Sequence, residues 1–137
     1  MEEAFSNLGA GFAKQIIAGD FAVARSFLAP WLQAVMTADD LKAMMAEARA
    51  DLPAPAQFDL DSNSCQLEDL EVDEYSPPTK PLPGEITNDN FRKWMCIQFQ
   101  PDPEAETGYD ACFDLWMALV DVGGSLKIGY LEPTGAD

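Results

Sequence analysis

The segment 113-FDLWMALVDVGGSLKIGYL-131, near the end of the chain, alternates between two kinds of side chain and indicates the fold class. Large apolar side chains recur at every second position on both sides of Gly123-Gly124, which is the period of a strand with one buried face. Two glycines between such runs are typical of a two-residue hairpin turn. We therefore predict strands over residues 111–122 and 125–131, joined as a hairpin.

A hairpin turn at Gly123-Gly124 also predicts which residues face each other across the two strands. The expected pairs are Leu119–Ile128 and Met117–Tyr130 on one face, and Val120–Lys127, Ala118–Gly129 and Trp116–Leu131 on the other. The first face is apolar throughout, so it is the predicted core face. The second face mixes apolar and polar side chains.

A further strand is predicted over residues 91–100, where Met95, Ile97 and Phe99 extend the core face. Its opposite face adds Trp94 and Cys96 to a surface that is too apolar for water. Two explanations stay open: an interface with a second copy of the chain, or a layer covered by the protein's own loop. The homodimer interface expected under the first explanation comprises Trp94, Trp116, Val120 and Leu131.

The first half of the chain has helical spacing, with apolar residues three and four positions apart. Gly19 is predicted to end a first helix, and Asp20 to cap a second one that Pro30 kinks or restarts. A third helix opens at Thr37 and Asp40, which resemble a capping box. The predicted helical faces contain Phe5, Leu8, Phe12, Ile16 and Ile17, then Phe21, Ala24, Phe27 and Leu28, then Leu41, Met44, Met45, Ala48 and Leu52.

Between helices and hairpin, Phe58 and Leu60, and then Leu67, Leu70 and Val72, indicate one or two strands with a possible bulge. Residues 50–79 contain eight acidic side chains and no basic one. Residues 76–90 hold four prolines and are predicted to form a long structured loop. The acidic pole, as we name it, comprises Asp59, Asp61, Glu68, Asp69, Glu71, Asp73 and Glu74.

These elements predict an α+β fold in which N-terminal helices pack on a mainly antiparallel, curved sheet. A chain of 137 residues has the usual size of one domain. We expect a single domain over residues 1–137, with a helical part at about 3–52 and a sheet part at about 57–132.

The chain has 24 Asp and Glu against 8 Lys and Arg, and no histidine, for a formal net charge of −16. Such a charge repels nucleic acid and anionic membranes and favours a basic protein partner. It also removes the commonest general base and metal ligand. We expect no cofactor and no metal: Asp59, Asp61 and Asn63 alternate like calcium ligands, but Ser64 and Leu70 stand where that motif needs Gly and Glu.

No apolar run reaches the length of about 18 residues that would suggest a membrane span. The acidic start Met1-Glu2-Glu3 is unlike a secretory signal, so a cytoplasmic location is expected. Cys65, Cys96 and Cys112 are odd in number and not closely spaced, so we predict buried free thiols.

The stretches 18-AGDFAVA-24 and 28-LAPWL-32, followed by the predicted sheet, resemble small bacterial domains of the nuclear transport factor two-like superfamily, which has a cystatin-like cone fold. The resemblance implies a conical pocket, used by some members for isomerase or dehydratase chemistry and by many for binding or dimerisation. The pocket residues it implies here are Phe113, Leu115, Met117, Ile128 and Tyr130.

An enzyme of this superfamily commonly relies on an Asp–His pair, which a chain without histidine cannot supply. A ketosteroid isomerase-like site would instead need Asp and Tyr side chains, for which this chain offers Asp110, Asp114, Tyr75, Tyr109 and Tyr130. Their spacing does not match the family's positions, so no catalytic residue is assigned. Asp114 either lies desolvated beside Trp116 with a raised pKa or reaches water at a rim.

Two functions remain. The first is a non-enzymatic interaction protein, of the immunity or antitoxin type, whose acidic pole binds a basic protein. The second is a hydrophobic-ligand binder, or an isomerase- or dehydratase-like enzyme, that uses the cone pocket. Acidity alone can also serve solubility. The sequence favours the first.

Overall fold

The structure is a computed structural model that describes residues 2–49, 54–63, 65–101 and 112–134. Helices precede an open, four-stranded antiparallel sheet, which confirms the predicted α+β class. The sheet order is β1-β2-β3-β4. The elements are α1 (Glu2–Ala18), α2 (Phe21–Arg25), α3 (Pro30–Gln33), α4 (Ala38–Arg49), β1 (Gln57–Asn63), a 3-10 helix (Leu67–Asp69), β2 (Phe91–Gln100), β3 (Phe113–Val122) and β4 (Ser125–Thr134).

The helix boundaries follow the predicted capping residues. Asp20 accepts a hydrogen bond from Val23 N at 3.2 Å, which caps α2. Pro30 is the first residue of α3 and therefore restarts the helix instead of kinking it, since it needs no amide partner there. Thr37 and Asp40 exchange hydrogen bonds of 3.0 and 3.1 Å, and this confirms the capping box at the start of α4.

The hairpin turn is confirmed. Gly123 and Gly124 have φ values of 60° and 89°, a region that glycine enters without steric cost. Val122 pairs with Ser125 across the turn. The strand predicted over 91–100 is β2, whereas β4 continues to Thr134, beyond the predicted end. The predicted start at residue 111 lies outside the described residues.

The pairing of β3 with β4 corrects part of the expected register. Leu119–Ile128 and Val120–Lys127 pair as predicted, but a bulge at Gly129 shifts every later pair. A β-carbon at Gly129 would lie 3.0 Å from Val120 and 3.1 Å from Trp31, so a larger residue here would require these side chains to shift by a few tenths of an ångström. The pairs beyond the bulge are Ala118–Tyr130, Met117–Leu131 and Trp116–Glu132, in place of the predicted Ala118–Gly129, Met117–Tyr130 and Trp116–Leu131.

The bulge exchanges two side chains between the faces of the sheet. Tyr130, predicted for the core face and its pocket, packs on the opposite face with Trp94 and Ala118. Leu131, predicted for the dimer face, packs on the helix side. Both placements were wrong for the same reason: one extra residue in a strand reverses every side chain after it.

Of the one or two strands expected in the 58–72 segment, the structure has one. Phe58 and Leu60 lie in β1 with their side chains partly buried, as expected. Leu67 instead lies in the 3-10 helix, and Leu70 and Val72 follow without strand structure. The predicted loop over residues 76–90 forms neither helix nor strand.

The helices cover one face of the sheet, which we call the inner face, and the principal core lies between them. The opposite, outer face carries a second apolar cluster. Fully buried residues of the principal core include Phe12, Leu28, Leu41, Met95, Ile97, Phe99, Leu115, Met117, Leu119 and Ile128.

Candidate functional site

The outer face is organised in rows of neighbours that cross the four strands. In one row, Asp59, Gln98, Asp114 and Thr134 stand side by side. In the next, Asp61, Cys96, Trp116 and Glu132 do so. In the third, Asn63, Trp94, Ala118 and Tyr130 do so. The face therefore passes from acidic and polar at one end to aromatic at the other.

Residues 65–90, which we call the covering segment, pack over the aromatic end. Leu67, Leu70, Leu82 and Ile86 contribute to the same apolar cluster as Phe91, Trp94, Ala118, Val120 and Tyr130. Trp94 lies between Trp116 and Tyr130, with ring centroids 5.6 and 6.1 Å away. Of the two explanations for this apolar face, the structure shows the cover by the protein's own loop.

The expected dimer interface is accordingly not a free surface. Trp94 is 4% exposed and Val120 is fully buried beneath the covering segment. Leu131 lies on the inner face, and only Trp116 stays half-buried on the outer face. A homodimer through these four residues would require the covering segment to move, because they do not form one exposed surface. The homodimer stays a prediction.

The other end of the outer face is open and forms a cavity of about 240 Å³. Its lining residues are Asp59, Leu60, Asp61, Cys96, Gln98, Asp114 and Trp116. Gln100 donates a hydrogen bond of 2.6 Å to Asp59. The cavity thus combines carboxylates, amides and an indole, a set suited to cationic groups.

The electrostatics of this cavity are dominated by negative charge. Burial raises the pKa of Asp114, but its side chain is only half-buried and lines the open cavity, so each of its two predicted environments holds in part. Burial and the neighbouring charges of Asp114 and Asp61 raise the pKa of Cys96 to about 12. The thiol of Cys96 therefore stays protonated at neutral pH, which argues against a nucleophile at this position.

The prediction of buried thiols holds for one of the three cysteines. Cys96 is buried, whereas Cys65 and Cys112 are half-buried. Burial and the charge of Asp69 raise the pKa of Cys65. The described cysteines are free, as predicted.

The acidic pole divides between β1 and the covering segment. Asp59 and Asp61 project from the outer face, in the rows of Gln98 and Cys96. Glu68, Asp69, Glu71, Asp73 and Glu74 are exposed on the segment that packs over the same face. Their sequence neighbours Val72 and Tyr75 are also exposed, at 55% and 87%. The structure therefore brings all seven predicted carboxylates to the outer side of the sheet.

Two of these carboxylates also shape the covering segment. Asp69 accepts a hydrogen bond of 3.0 Å from Gln66 N and completes a capping box for the 3-10 helix. Asp73 accepts one of 2.9 Å from Tyr75 N. Glu68, Glu71 and Glu74 make no hydrogen bond within the described residues, so their charges face solvent.

Sequence reasoning missed Glu132, which anchors the covering segment to β4. Its carboxylate accepts hydrogen bonds of 2.8 Å from Thr79 N and from Thr79 Oγ1, and a third from the hydroxyl of Tyr130. The position was missed because the predicted strand ended at Leu131. Extending the predicted alternation by two residues would have placed Glu132 on the core face with Tyr130, so its place on the outer face depends on the bulge at Gly129.

Replacing Glu132 with glutamine should remove a pH-dependent contribution to stability. Burial alone would raise the pKa of Glu132, but the hydrogen bonds from Tyr130 and Thr79 and the charge of Lys80 hold it below the usual value. A lowered pKa stabilises the fold above the unfolded-state pKa, and this stabilisation is lost as the pH falls through the folded-state value. Because the side chain is partly exposed, we expect a difference of about 1 kcal/mol at pH 7.

Urea denaturation of both proteins at pH 7, 5 and 3.5 measures this difference. The gap between wild type and Glu132→Gln should shrink as the pH falls below about 4.5, because protonated glutamate and glutamine are then alike. The wild-type curve alone is not informative, since protonation of other carboxylates changes self-repulsion in both proteins equally. A gap that is constant across this range would contradict the assignment.

Three of the five residues expected to line a cone pocket fill the core instead. Leu115, Met117 and Ile128 are fully buried in the principal cluster. Phe113, which is 3% exposed, borders a separate cavity of about 160 Å³ at one end of the helical layer. Ile16, Phe21 and Met45 also line it, with Lys42 and Arg49.

The candidates for isomerase-like chemistry are not assembled into one site by the described residues. Asp110 and Tyr109 lie outside them. Tyr75 is exposed on the covering segment, and Tyr130 donates its hydroxyl to Glu132. Asp114 lies two rows from Tyr130 on the outer face. Burial and the bond to Glu132 raise the pKa of Tyr130, which keeps its hydroxyl protonated.

The described residues contain no group of three His, Cys, Asp or Glu side chains arranged to hold a metal ion. In the same part of the chain, no helix has the length and apolar character needed to cross a membrane. Comparison of the chain with protein-family models, curated proteins and solved structures found no match.

Proposed function

We propose that this protein is a non-enzymatic interaction protein whose acidic outer side binds a basic protein partner, in the manner of an immunity protein or antitoxin. One observation carries the proposal. The seven carboxylates of the acidic pole share one side of the sheet, and none of them is ion-paired within the described residues. The described ion pair, Arg92–Asp121, lies elsewhere on the sheet.

The resemblance to the nuclear transport factor two-like superfamily is compatible with this proposal, because many of its members only bind or dimerise. A field of one sign speeds the encounter with an oppositely charged partner, and close charge pairs slow its release. Binding of this kind weakens as salt is added, because the charges on the outer side are screened. A basic protein is thus a better partner than an apolar ligand for this face.

Reversing three charges on the covering segment should weaken partner binding at least ten-fold. The variant Glu68→Lys/Glu71→Lys/Glu74→Lys changes only carboxylates without hydrogen bonds, so the local structure around Asp69 and Asp73 is retained. The measurement begins with a tagged pull-down at low and high salt, followed by titration of the purified basic partner against wild type and variant.

A control makes a similar change of charge on exposed residues of helices that cover the inner face, as Glu3→Lys/Asp39→Lys. This control should bind within about three-fold of wild type, because screening over one Debye length of about 8 Å weakens distant charges. Equal loss in both variants would reduce the effect to net charge. Recovery of the bait alone, or capture that the first variant leaves intact, would refute the proposal.

A further inference from the structure

The two edge strands of the sheet, β1 and β4, differ in their backbone hydrogen bonds to the rest of the described chain. At the β4 edge, Ala29 N donates to Ile128 O at 2.7 Å, and Ile128 N donates to Phe27 O at 2.9 Å. At the β1 edge, no described segment pairs with the side of the strand that points away from β2. The exception is at the end of the strand, where Cys65 N donates to Asn63 O. Unpaired amides and carbonyls of an edge strand can accept another strand.

The two faces beside the β1 edge differ in chemistry. On the outer side, Asp59 and Asp61 project next to the edge, above the acidic cavity. On the inner side, Phe58 borders a groove of about 460 Å³ between α1 and β1. Ile17 and Ala18 contribute apolar surface to this groove, and Lys14 lies beside them.

We propose that β1 is a docking edge for an extended segment of the basic partner, which adds to the sheet as a further strand. Side chains alternate between faces along a strand, so a matching segment carries cationic residues at every second position, facing Asp59 and Asp61. The intervening residues are apolar and face Phe58 and Ile17, where Lys14 would repel a cation. The inference rests on the proposed function and adds the mode of recognition.

A second copy of this chain is a poor occupant of the edge. Antiparallel pairing of two β1 strands would place the carboxylates of Asp59 and Asp61 close to those of the other copy, in molecules that each carry a formal charge of −16. Charges on an edge strand protect it from pairing with its like. A basic strand removes that repulsion, so the same two carboxylates select the partner.

The test uses a nine-residue peptide of alternating lysine and valine, blocked at both ends and labelled with a fluorophore. A second peptide has the same composition, with all lysines before all valines. Anisotropy titration should give at least ten-fold tighter binding of the alternating peptide. Bound peptide should also slow amide hydrogen exchange in residues 57–63, at the N–H groups that point away from β2, because these amides gain partners.

A variant pair locates the binding on the chain. Asp59→Lys/Asp61→Lys should weaken binding of the alternating peptide at least ten-fold. The control, Asp39→Lys/Glu47→Lys, makes the same change of charge on α4, which packs against β4 at the opposite edge. It should bind the peptide within about two-fold of wild type.

The outcomes separate this inference from the proposed function. Equal binding of both peptides, or binding without slower exchange in residues 57–63, overturns the docking edge. A third outcome is that Glu68→Lys/Glu71→Lys/Glu74→Lys abolishes peptide binding while Asp59→Lys/Asp61→Lys leaves it intact. This result would support a basic partner but overturn the docking edge. A fourth outcome is that the peptide does not bind, and amide exchange in residues 57–63 slows as the protein concentration rises. This result would identify a second copy of the chain as the occupant and would also overturn the docking edge.

Discussion

Trp94→Ala is expected to lower the free energy of unfolding by about 3–5 kcal/mol, the range for removing a buried aromatic side chain. Trp94 is 4% exposed and stacks between Trp116 and Tyr130. Its loss would open a cavity beneath the covering segment and remove both ring contacts at once. Urea denaturation followed by circular dichroism measures the change.

The control for this prediction is Trp116→Ala, on the same face and one row away. Trp116 is half-buried and has a single stacking partner within the described residues, so its loss should cost less than half as much. Amide exchange in residues 65–75 should quicken in Trp94→Ala and change little in Trp116→Ala. Equal destabilisation by the two variants would mean that the covering segment does not depend on Trp94.

The prediction also connects stability with the proposed function. Five carboxylates of the acidic pole lie on the covering segment, whose position depends on the cluster around Trp94. Detaching that segment would disperse charges that now lie on the same side of the sheet as Asp59 and Asp61. We therefore expect Trp94→Ala to weaken partner binding under conditions in which most of the protein remains folded.

The elements that sequence reasoning predicted correctly depend on neighbouring residues. Capping at Asp20 and Thr37 involves donors and acceptors within three positions, and the hairpin depends on two adjacent glycines. The strand over 91–100 alternates without interruption. Local patterns of this kind determine local structure, because the contacts that stabilise them are already specified by the sequence.

The features that it missed depend on contacts between distant residues. Gly129 bulges because Trp31, 98 positions away, approaches it and donates its indole N–H to Gly129 O at 2.9 Å. The 3-10 helix at Leu67 replaces a strand because the aromatic face beneath it offers an apolar surface. Neither partner is visible from the alternation of the strand itself, which is why the faces of Tyr130 and Leu131 were exchanged.

For the candidate site, the sequence predicted which residues carry the negative charge but not how the structure arranges them. The acidic pole was found from composition, since carboxylates without nearby cations are apparent in the sequence. That the covering segment would carry five of them over the face from which Asp59 and Asp61 project required the structure. The position of β1 at an edge of the described sheet likewise follows from strand order, which composition does not specify.

Leu28→Ala is expected to lower the free energy of unfolding by about 2–5 kcal/mol. Leu28 is fully buried in the principal core, and its backbone bridges to Ile128 beside the hydrogen bonds that close the β4 edge. The variant therefore loses core packing and loosens the edge closure together. The control Val23→Ala, at a side chain that is 42% exposed, should change the free energy by about 0.5 kcal/mol or less.

The state of assembly of Leu28→Ala is a second measurement, because the two edges of the sheet differ in how they resist pairing with another copy. Wild type presents β1 as its free edge within the described residues, and like charges at Asp59 and Asp61 oppose pairing of two copies there. Loosening of residues 27–29 would expose β4, where Lys127 stands near the edge instead of a carboxylate. We expect the variant to self-associate in light scattering at concentrations where wild type does not. A variant that is destabilised but stays in the wild-type state of assembly would show that closure of the β4 edge is independent of Leu28 packing.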